Sequence, residues 1–318
     1  MRMAHKVTVL GAAGYSGVEL LKLLAVHPAV RIVAAASDKH AGKPTSELTG
    51  VPGSLAFVPT EQALATPADV ALLAVPHDAA QKLAAAVRAP KVIDLSNAHR
   101  ATHPYGLTSL FAGELAGAAL IANPGCYATC VITAVAPFVR HGLLDGDVVV
   151  AAGSGVTGAG RSADEAMSLG ELYGDVRAYK VLRHQHVPEI EATLARLGQG
   201  PRVVLTTHLL PIARGIFATV NLRLRAPMTS EALTDRLRAD YADDPTVTVA
   251  AAPEQVSLRK VVGTNQCMIG AAAQGTTVVI TAALDNLLKG AAGQAVENMN
   301  LVLGHPRTLG LDHLARHL

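Results

Sequence analysis

The first third of the chain alternates short apolar runs with longer stretches that have helical spacing. The pattern predicts strands at Lys6–Leu10, Arg31–Ala36, Val70–Val75 and Lys91–Leu95, and helices at Val18–Val26 and near Ala79–Val87. Strands that alternate with helices in this way form a parallel sheet with helices on both faces. The first part of the chain is therefore predicted to be an α/β domain.

The pattern changes after residue 126, where strands become longer and helices fewer. Tyr127–Val139 predicts a helix that kinks or ends near Pro137, because proline lacks the N–H of the helical ladder. Beyond it, the pattern predicts strands at Asp147–Ala152, Arg202–Leu210, Phe217–Leu224, Val247–Ala250 and Val278–Leu284, and helices at Glu189–Leu197, Glu231–Tyr241 and Asn286–Leu303. This order predicts an α+β arrangement with a mixed sheet.

Composition narrows the class of protein. The 318 residues suffice for two domains, half of them are apolar, and 16% are charged. A net charge of +2 without a basic run argues against nucleic acid as a partner. No segment has the length of a spanning helix or the order of a signal peptide, so we expect a cytoplasmic enzyme with a small-molecule substrate and no membrane partner.

The cysteines do not form a disulfide framework. Cys126, Cys130 and Cys267 are too few and too dispersed, and no histidine or cysteine cluster has metal-ligand spacing. We therefore expect reduced thiols and no metal site. Cys130 and Cys267 are interpreted as core residues.

A glycine loop follows the first predicted strand and precedes the first helix. Gly11, Gly14 and Gly17 allow the backbone to approach a pyrophosphate, and the helix start presents N–H groups to it. A tight turn without a ligand is the alternative, and the strand-loop-helix context favours a dinucleotide. The candidate cofactor-binding residues here are Gly11, Ala13, Gly14, Tyr15, Ser16 and Gly17, with Pro76 after the third strand.

The residues at the end of the second predicted strand indicate whether the cofactor is NAD or NADP. Asp38 favours a free ribose hydroxyl, whereas Ser37 and Lys39, with Lys43 nearby, favour a 2′-phosphate. We predict NADP, with Ser37 and Lys39 as its ligands. Solvent-exposed loop residues are the alternative interpretation.

Cys126 stands at the turn from Pro124-Gly125 into the helix 127–139. A thiol in the first helical turn lies at the positive end of the helix dipole, which favours the thiolate. Two histidines, His184 and His186, precede a helix predicted to begin near Pro188. We expect the two side chains to point to opposite faces, so that one histidine reaches Cys126 as an acid–base partner.

A second glycine-rich loop and several arginines are candidate anion sites. Ser154, Gly155 and Gly158 follow a predicted strand, and Arg161 ends the loop. A long connecting loop is the alternative. We also predict substrate contacts for three further residues. Arg100 follows the predicted strand 91–95, Asn123 lies three residues before Cys126, and Arg183 directly precedes His184.

The chain resembles the N-acetyl-gamma-glutamyl-phosphate reductases over nearly its whole length. The similar segments are Ile121–Pro137 with Asn-Pro-Gly-Cys-Tyr-Ala-Thr, Gly11–Gly17, Ser154–Arg161, His184–Ile190 and Asp285–Ala295. The resemblance implies a Rossmann-type NADP-binding domain over residues 1–126, which a C-terminal helix within 286–318 completes. It implies a catalytic and oligomerisation domain over 127–285, a dimer or tetramer, and Asn286 close to the nicotinamide.

Departures from that family cluster near the predicted substrate region. Cys130 replaces a glycine or alanine, Ala98-His99-Arg100 replaces Asp-Phe-Arg, the stretch from Arg100 to Tyr105 is short, and Thr108-Ser109 replaces Pro-Glu. These changes affect the expected substrate more than the expected reaction. A lysine-pathway reductase acting on an aminoadipyl phosphate, free or carrier-linked, is therefore the first alternative.

The resemblance implies the chemistry of an arginine-biosynthesis oxidoreductase. Cys126 attacks an acyl phosphate, a thioester forms, and hydride from NADPH reduces it to an aldehyde while a histidine supplies a proton. Aspartate-semialdehyde dehydrogenases share the expected architecture but differ around the cysteine. A cysteine hydrolase and a non-catalytic NADP-binding regulator are more distant alternatives, and the glycine loop argues against the hydrolase.

Overall fold

The structure, a computed structural model, describes residues 4–160, 169–312 and 314. The chain forms two compact units. The first contains the described residues up to Gly125 together with those from Ala291 to Leu314, and the second contains the described residues of Cys126–Gly290. Within the described ranges no helix has the length and hydropathy needed to cross a membrane.

A six-stranded, all-parallel sheet forms the centre of the first unit. Its strand order is β3-β2-β1-β4-β5-β6. The strands are β1 His5–Leu10, β2 Val30–Ala36, β3 Phe57–Val58, β4 Val70–Leu73, β5 Lys91–Asp94 and β6 Leu120–Ala122; the helices are α1 Tyr15–Ala25, α2 Ser46–Thr49, α3 Thr60–Ala65, α4 His77–Ala86 and α5 Thr108–Leu115. This order is that of a dinucleotide-binding fold, in which ligands bind beyond the carboxyl ends of the strands.

The predicted strands and helices of this unit are confirmed to within a few residues at each end. Two strands were not predicted, because β3 and β6 have only two and three residues. Such short strands have too few positions to show a period of two. Both lie at the edges of the sheet.

The second unit contains a mixed seven-stranded sheet with the order β11-β12-β13-β10-β7-β9-β8. Its strands are β7 Val148–Ser154, β8 Arg177–Tyr179, β9 Val203–Leu209, β10 Ile216–Arg223, β11 Val247–Val249, β12 Cys267–Gln274 and β13 Thr277–Leu284; its helices are α6 Cys126–Arg140, α7 Leu169–Leu172, α8 His186–Ala195, α9 Ser230–Asp240 and α10 Leu258–Val261. Parallel pairs (β7 with β9, β11 with β12) stand beside antiparallel ones, which confirms the predicted mixed sheet and the α+β class.

Helix α6 is the apolar centre of the second unit. Every residue from Tyr127 to Val139 is buried, and the helix packs against β10, β12 and β13. It continues through Pro137 to Arg140, one residue beyond the predicted range, so of the two alternatives the one in which the helix ends at the proline is wrong. Pro137 cannot donate to the carbonyl of Thr133, four residues earlier, and the buried Tyr241 hydroxyl donates to that carbonyl instead (2.6 Å).

The C-terminal region differs from the single helix predicted over residues 286–303. A π-helical turn occupies Leu288–Ala292 and an α-helix, α11, follows over Gly293–Val302. Helix α11 belongs to the first unit and packs against α5, β5 and α1. It ends at Val302, because Gly304 has a φ of +72° and Pro306 cannot continue a helix. The rest of the predicted segment 286–318 is turn up to residue 312, and residues 313 and 315–318 lie outside the described part.

Candidate active site

Each glycine of the first glycine loop occupies a position with a different physical requirement. Gly11 has a φ of +77°, and a Cβ there would lie 2.2 Å from the carbonyl oxygen of Ala74. A Cβ on Gly17 would lie 2.2 Å from the carbonyl oxygen of Gly11. Gly14, the N-cap of α1, leaves open space, since its Cβ would meet only that same oxygen at 3.4 Å. The loop thus combines a tight turn, close helix packing and an open approach at the helix start, which fits a pyrophosphate.

The carboxylate of Asp38, just beyond the end of β2, is hydrogen-bonded to Thr60. It accepts hydrogen bonds from the backbone N–H and the hydroxyl of Thr60 (2.7 and 2.9 Å), at the start of α3. These bonds lower the pKa of Asp38 below its usual value. The Ser37 hydroxyl pairs with Nδ1 of His40 (3.1 Å), and Lys39 is exposed beside them. The groups left to meet a ligand are a hydroxyl, an imidazole and an ammonium.

Pro76 lies at the carboxyl end of β4, the neighbour of β1 in the sheet. It is the N-cap of α4 and is exposed. Its loop also includes Ala74, whose carbonyl is the close neighbour of Gly11. The structure therefore brings Pro76 to the same edge of the sheet as the glycine loop.

The carboxyl ends of β5 and β6 contain a buried polar network. Asp94 is fully buried and accepts from the N–H and hydroxyl of Ser96 and from Nδ1 of His99 (2.7 Å). Arg100 donates to the carbonyls of Asn123 (3.0 Å) and Leu95 (3.2 Å) and so connects the two loops. His99, which departs from the resembled family, is thus held by a buried carboxylate.

The Asn123 side chain has structural partners inside the first unit. It is fully buried, its amide N–H donates to the carbonyl of Ala291 (3.2 Å), and its oxygen accepts from Asn298 (2.9 Å). These bonds fix the backbone that leads to Cys126. The predicted contact of Asn123 with substrate stays a prediction.

Cys126 is the first residue of α6 and is partly exposed, whereas the rest of the helix up to Val139 is buried. The apolar face of the helix therefore fixes a thiol at the surface end of a rigid element. In the described part of the chain all three cysteines are free. Cys130 and Cys267 are fully buried next to each other, and their contact, with burial, raises the pKa of the Cys130 thiol.

Three hydroxyl groups form a hydrogen-bonded chain that includes Tyr127, the residue next to Cys126 in the sequence. Tyr179 donates to the Tyr127 hydroxyl (3.2 Å), Tyr127 is hydrogen-bonded to Ser154, and Ser154 donates to the carbonyl of Gly155 (3.0 Å). Burial raises the pKa of Tyr127 well above its usual value and raises that of Tyr179 to about 12. The negative charge of a Cys126 thiolate adds to both shifts. Both tyrosines are therefore hydrogen-bond donors at neutral pH.

The two histidines lie side by side, so the expectation that they point to opposite faces is wrong. Helix α8 begins at His186, two residues before the predicted start, and His184 lies in the turn before it. Their ring centroids are 4.7 Å apart, and both rings pack edge-to-face on Tyr127. The turn contains two non-glycine residues with positive φ, Lys180 (48°) and Leu182 (56°). A spacing of two gives no ground for opposite faces even in a strand, where side chains two residues apart share a face.

His184 is a neutral imidazole at neutral pH. Burial, and to a smaller extent the charge of Lys180, lowers its pKa from 6.5 to about 4. The backbone N–H of His186 donates to Nδ1 of His184 (3.2 Å), so the ring proton of the neutral form is on Nε2. His184 is thus a hydrogen-bond donor through Nε2.

The second glycine loop packs on residues 212–215 of its own unit. A Cβ on Gly155 would lie 2.6 Å from the backbone nitrogen of Arg214, and the N–H groups of Gly155, Val156 and Thr157 donate to carbonyls of that segment. These donors are therefore already used. Gly158 is exposed, with Ser154 Oγ and Asn286 as its neighbours. The predicted cofactor contacts of Ser154, Gly155 and Gly158 stay predictions.

Asn286 connects this loop to the end of β13. Its oxygen accepts from the N–H of Gly215 (2.7 Å) and its amide donates to the Thr157 hydroxyl (3.1 Å). Its predicted nicotinamide contact is not tested by these bonds. Arg183 is exposed, and Arg161 lies outside the described residues. Among the residues that the structure describes, no group of histidine, cysteine and carboxylate side chains has the geometry of a metal site.

Comparison with known proteins identifies the family. Residues 6–118 match the NAD binding domain of semialdehyde dehydrogenases, and residues 126–286 match their dimerisation domain. The chain is 42% identical to the N-acetyl-gamma-glutamyl-phosphate reductase of Chlorobaculum tepidum, over 96% of each chain. It is 38% identical to the protein of that name from Symbiobacterium thermophilum, over 97% of this chain and 98% of the other. The chain belongs to the N-acetyl-gamma-glutamyl-phosphate reductase family.

Solved structures of the wider semialdehyde dehydrogenase group share the fold of this reductase family member. Aspartate semialdehyde dehydrogenase II from Vibrio cholerae aligns with a TM-score of 0.75 at 18% identity, covering 95% of this chain and 99% of that one. The Candida albicans enzyme, solved with NADP, aligns with a TM-score of 0.73 at 16% identity, covering 92% and 97%. At these identities the likeness concerns the fold alone. The presence of an NAD(P)-binding domain in this reductase family member rests on the family match of residues 6–118.

Two features of the site were not predicted from the sequence. The hydroxyl chain from Tyr179 was missed because a three-residue edge strand, β8, places that residue. The Asp94–His99 pair was missed although the acid ends a predicted strand and the histidine follows five residues later. The sequence did contain a signal for Tyr179, since it is one of only six tyrosines and lies five residues before His184.

Proposed function

We propose that this protein catalyses the NADPH-dependent reductive dephosphorylation of N-acetyl-gamma-glutamyl phosphate to the semialdehyde. The observation that carries the proposal is the position of Cys126, a partly exposed thiol at the first residue of an otherwise buried helix. Near-full-length identity of 42% to a reductase of this name supports the choice of substrate. The reaction class is acyl-phosphate reduction through a thioester.

The first step is nucleophilic substitution at the acyl carbon. The Cys126 thiolate attacks the carbonyl carbon, a C–S bond forms, and the C–O bond to phosphate breaks, so that inorganic phosphate leaves. N–H groups at the start of α6 are oriented to stabilise the oxygen that gains charge. Bound NADPH would supply the hydride for reduction of the thioester carbonyl. The C–S bond of the tetrahedral adduct then breaks, which releases the aldehyde and regenerates the Cys126 thiolate.

In this proposal His184 is a hydrogen-bond donor and not an imidazolium paired with the thiolate. Its pKa of about 4 leaves it uncharged at neutral pH, with its proton on Nε2. A neutral donor stabilises a developing oxyanion without protonating the thiolate. His186, whose ring lies against His184, is the remaining candidate for proton transfer.

We propose NADP as the cofactor because Asp38 is engaged elsewhere. Its bonds to Thr60 remove the only acid at the end of β2 from the ribose. Ser37, His40 and Lys39 remain as neutral or basic groups, which suit a 2′-phosphate better than a hydroxyl. The solved Candida albicans relative was obtained with NADP, in agreement with this preference.

A single assay tests substrate and cofactor together. Phosphate-dependent reduction of NADP is followed with N-acetylglutamate semialdehyde, the one-carbon-longer aminoadipate homologue and aspartate semialdehyde. We expect the first to be the best substrate and NADP to exceed NAD by about 100-fold in kcat/KM. A Lys39→Ala variant should lose most of the preference while retaining its NAD activity. Preference for the longer semialdehyde would contradict the substrate, and preference for NAD would contradict the cofactor.

We propose that the second unit forms a homodimer through its sheet. Residues 126–286 match a dimerisation domain, and helix α6 packs on one face of the sheet. On β7 the side chains alternate between buried and exposed, so that Val149 is 46% exposed on the other face. Light scattering should give a mass of at least twice the 32.8 kDa of the chain. A monomer at micromolar concentration would contradict the proposal.

A further inference from the structure

The segment Asp285–Gly290 is anchored at its beginning by one buried carboxylate. Asp285 is fully buried and pairs with Arg214 (3.1 Å). It also accepts three backbone hydrogen bonds, from Leu287 (2.8 Å), Leu288 (3.1 Å) and Gly263 (2.9 Å). A carboxylate with this number of partners fixes the backbone around it.

The far end of the segment is an unusually wide turn. The N–H of Gly290 donates to the carbonyl of Asp285 (2.9 Å), five residues earlier, where an α-helix would use the residue four earlier. Lys289, within the same π-helical turn Leu288–Ala292, is fully buried and donates to the Thr246 hydroxyl (2.8 Å). Single π-helical turns are rare in proteins, and those that occur are often found at functional sites. The turn is thus held on both sides.

Gly290 lies directly against the Cys126 Cβ atom. A Cβ added at Gly290 would be 2.8 Å from it, closer than Cβ atoms come in proteins. The next neighbours would be Leu284 Cδ1 at 3.2 Å and the carbonyl oxygen of Asp285 at 3.3 Å. Leu284 Cδ1 is the end of a flexible side chain, whereas the Cβ atom of Cys126 is bonded directly to the backbone of the first, partly exposed residue of α6. The tightest contact is therefore the one with the nucleophile.

We infer that Gly290 is a positioning residue for the Cys126 thiol, and that the π-helical turn exists to bring a residue without a side chain against it. The role rests on the proposed function, since it concerns the geometry of the thiol in that reaction. Because Asp285 and Lys289 hold the turn, an added methyl group would move Cys126 rather than the turn. A displaced thiol loses its alignment with the acyl carbon and with the N–H groups at the helix start.

The test compares Gly290→Ala with Gly113→Ala. Gly113 is exposed in helix α5, and a Cβ there meets no atom within 4 Å, so it reports the general effect of a glycine-to-alanine change. We expect kcat to fall about 100-fold for Gly290→Ala, with KM and NADPH affinity nearly unchanged, and wild-type values for Gly113→Ala. Wild-type kcat for Gly290→Ala would overturn the inference.

A second measurement does not depend on the reductase activity. The rate of iodoacetamide alkylation is recorded against pH, with Cys126→Ser as the background, since Cys130 and Cys267 are fully buried. We expect Gly290→Ala to shift the pH midpoint and to lower the rate, whereas loss of stability alone would not move the midpoint of the folded protein. An unchanged profile would overturn the positioning role. An inactive wild-type protein would contradict the proposed function and leave this measurement valid.

A double-mutant cycle keeps the inference testable if Gly290→Ala folds poorly. The thermal midpoint is measured for Gly290→Ala in the wild-type and in the Cys126→Gly backgrounds. If the clash is with the Cys126 Cβ atom, the loss of Tm should be at least halved when that atom is absent. Equal losses in both backgrounds would assign the clash to Leu284 or Asp285 and overturn the inference.

Discussion

Replacing Cys126 with serine should lower kcat/KM for aldehyde formation by at least about 10³-fold. A serine hydroxyl at the same helix start stays protonated at neutral pH, whereas the thiol is favoured as thiolate there. NADPH affinity and the thermal midpoint should remain close to those of the wild type, because Cys126 is only partly buried and lies outside the glycine loop. Steady-state kinetics and cofactor titration measure these quantities.

Cys130→Ala is the matched control for that variant. It removes a fully buried thiol one helical turn further on and should retain activity. Intact-protein mass should also show an acyl adduct on the wild type treated with acyl phosphate without NADPH, and none on Cys126→Ser. Substantial aldehyde formation by Cys126→Ser would rule out the thioester route.

The second large effect is expected at Gly17, where an added methyl group would weaken NADPH binding by about 100-fold or more. Its Cβ would lie 2.2 Å from the carbonyl oxygen of Gly11 and 2.7 Å from the Cα of Ala12, both backbone atoms of the loop that is predicted to bind the pyrophosphate. Overpacking of this kind costs about 3 kcal/mol, which corresponds to a factor of about 100 in Kd. Fluorescence titration with NADPH measures the change.

Gly14→Ala separates loop distortion from obstruction of the ligand. Its Cβ would meet only the Gly11 oxygen at 3.4 Å, an ordinary contact, so the variant should fold with a wild-type midpoint. It should still bind NADPH more weakly, because the methyl group would occupy the open approach at the N-cap of α1. In both variants Cys126 alkylation should keep its wild-type pH profile. Wild-type NADPH affinity in Gly17→Ala would show that the glycine loop does not bind the cofactor.

Strands with a clear apolar run were predictable, and β12 was not. Cys267–Gln274 contains Ala271, Ala272 and Ala273, a composition that has no strand preference of its own. It becomes a strand because β11 and β13 pair with it on both sides. The start of α8 was not predictable from the sequence either. It lies at His186, two residues before Pro188, where the ring of His186 packs against that of His184.

Some parts of the candidate site were likewise predictable from the sequence, and others were not. The glycine loop and the thiol at a helix start were predictable, since each lies within one strand-loop-helix segment. The partner of Asp38 was not, because Thr60 is distant in sequence and belongs to another helix. The arrangement of the two histidines depends on left-handed conformations at Lys180 and Leu182, for which these residue types carry no signal.

The sequence by itself determined the α/β and mixed-sheet classes, the dinucleotide loop and the identity of the thiol, because periodicity and local turn chemistry act over a few residues. The tertiary structure decided which groups meet: Asp38 with Thr60, His184 with Tyr127 and His186, and Gly290 with Cys126. Apart from the pair His184 and His186, those contacts join segments that are distant in the chain. They exist only because burial of the apolar faces brings the segments together, and no local pattern records the distance at which they meet.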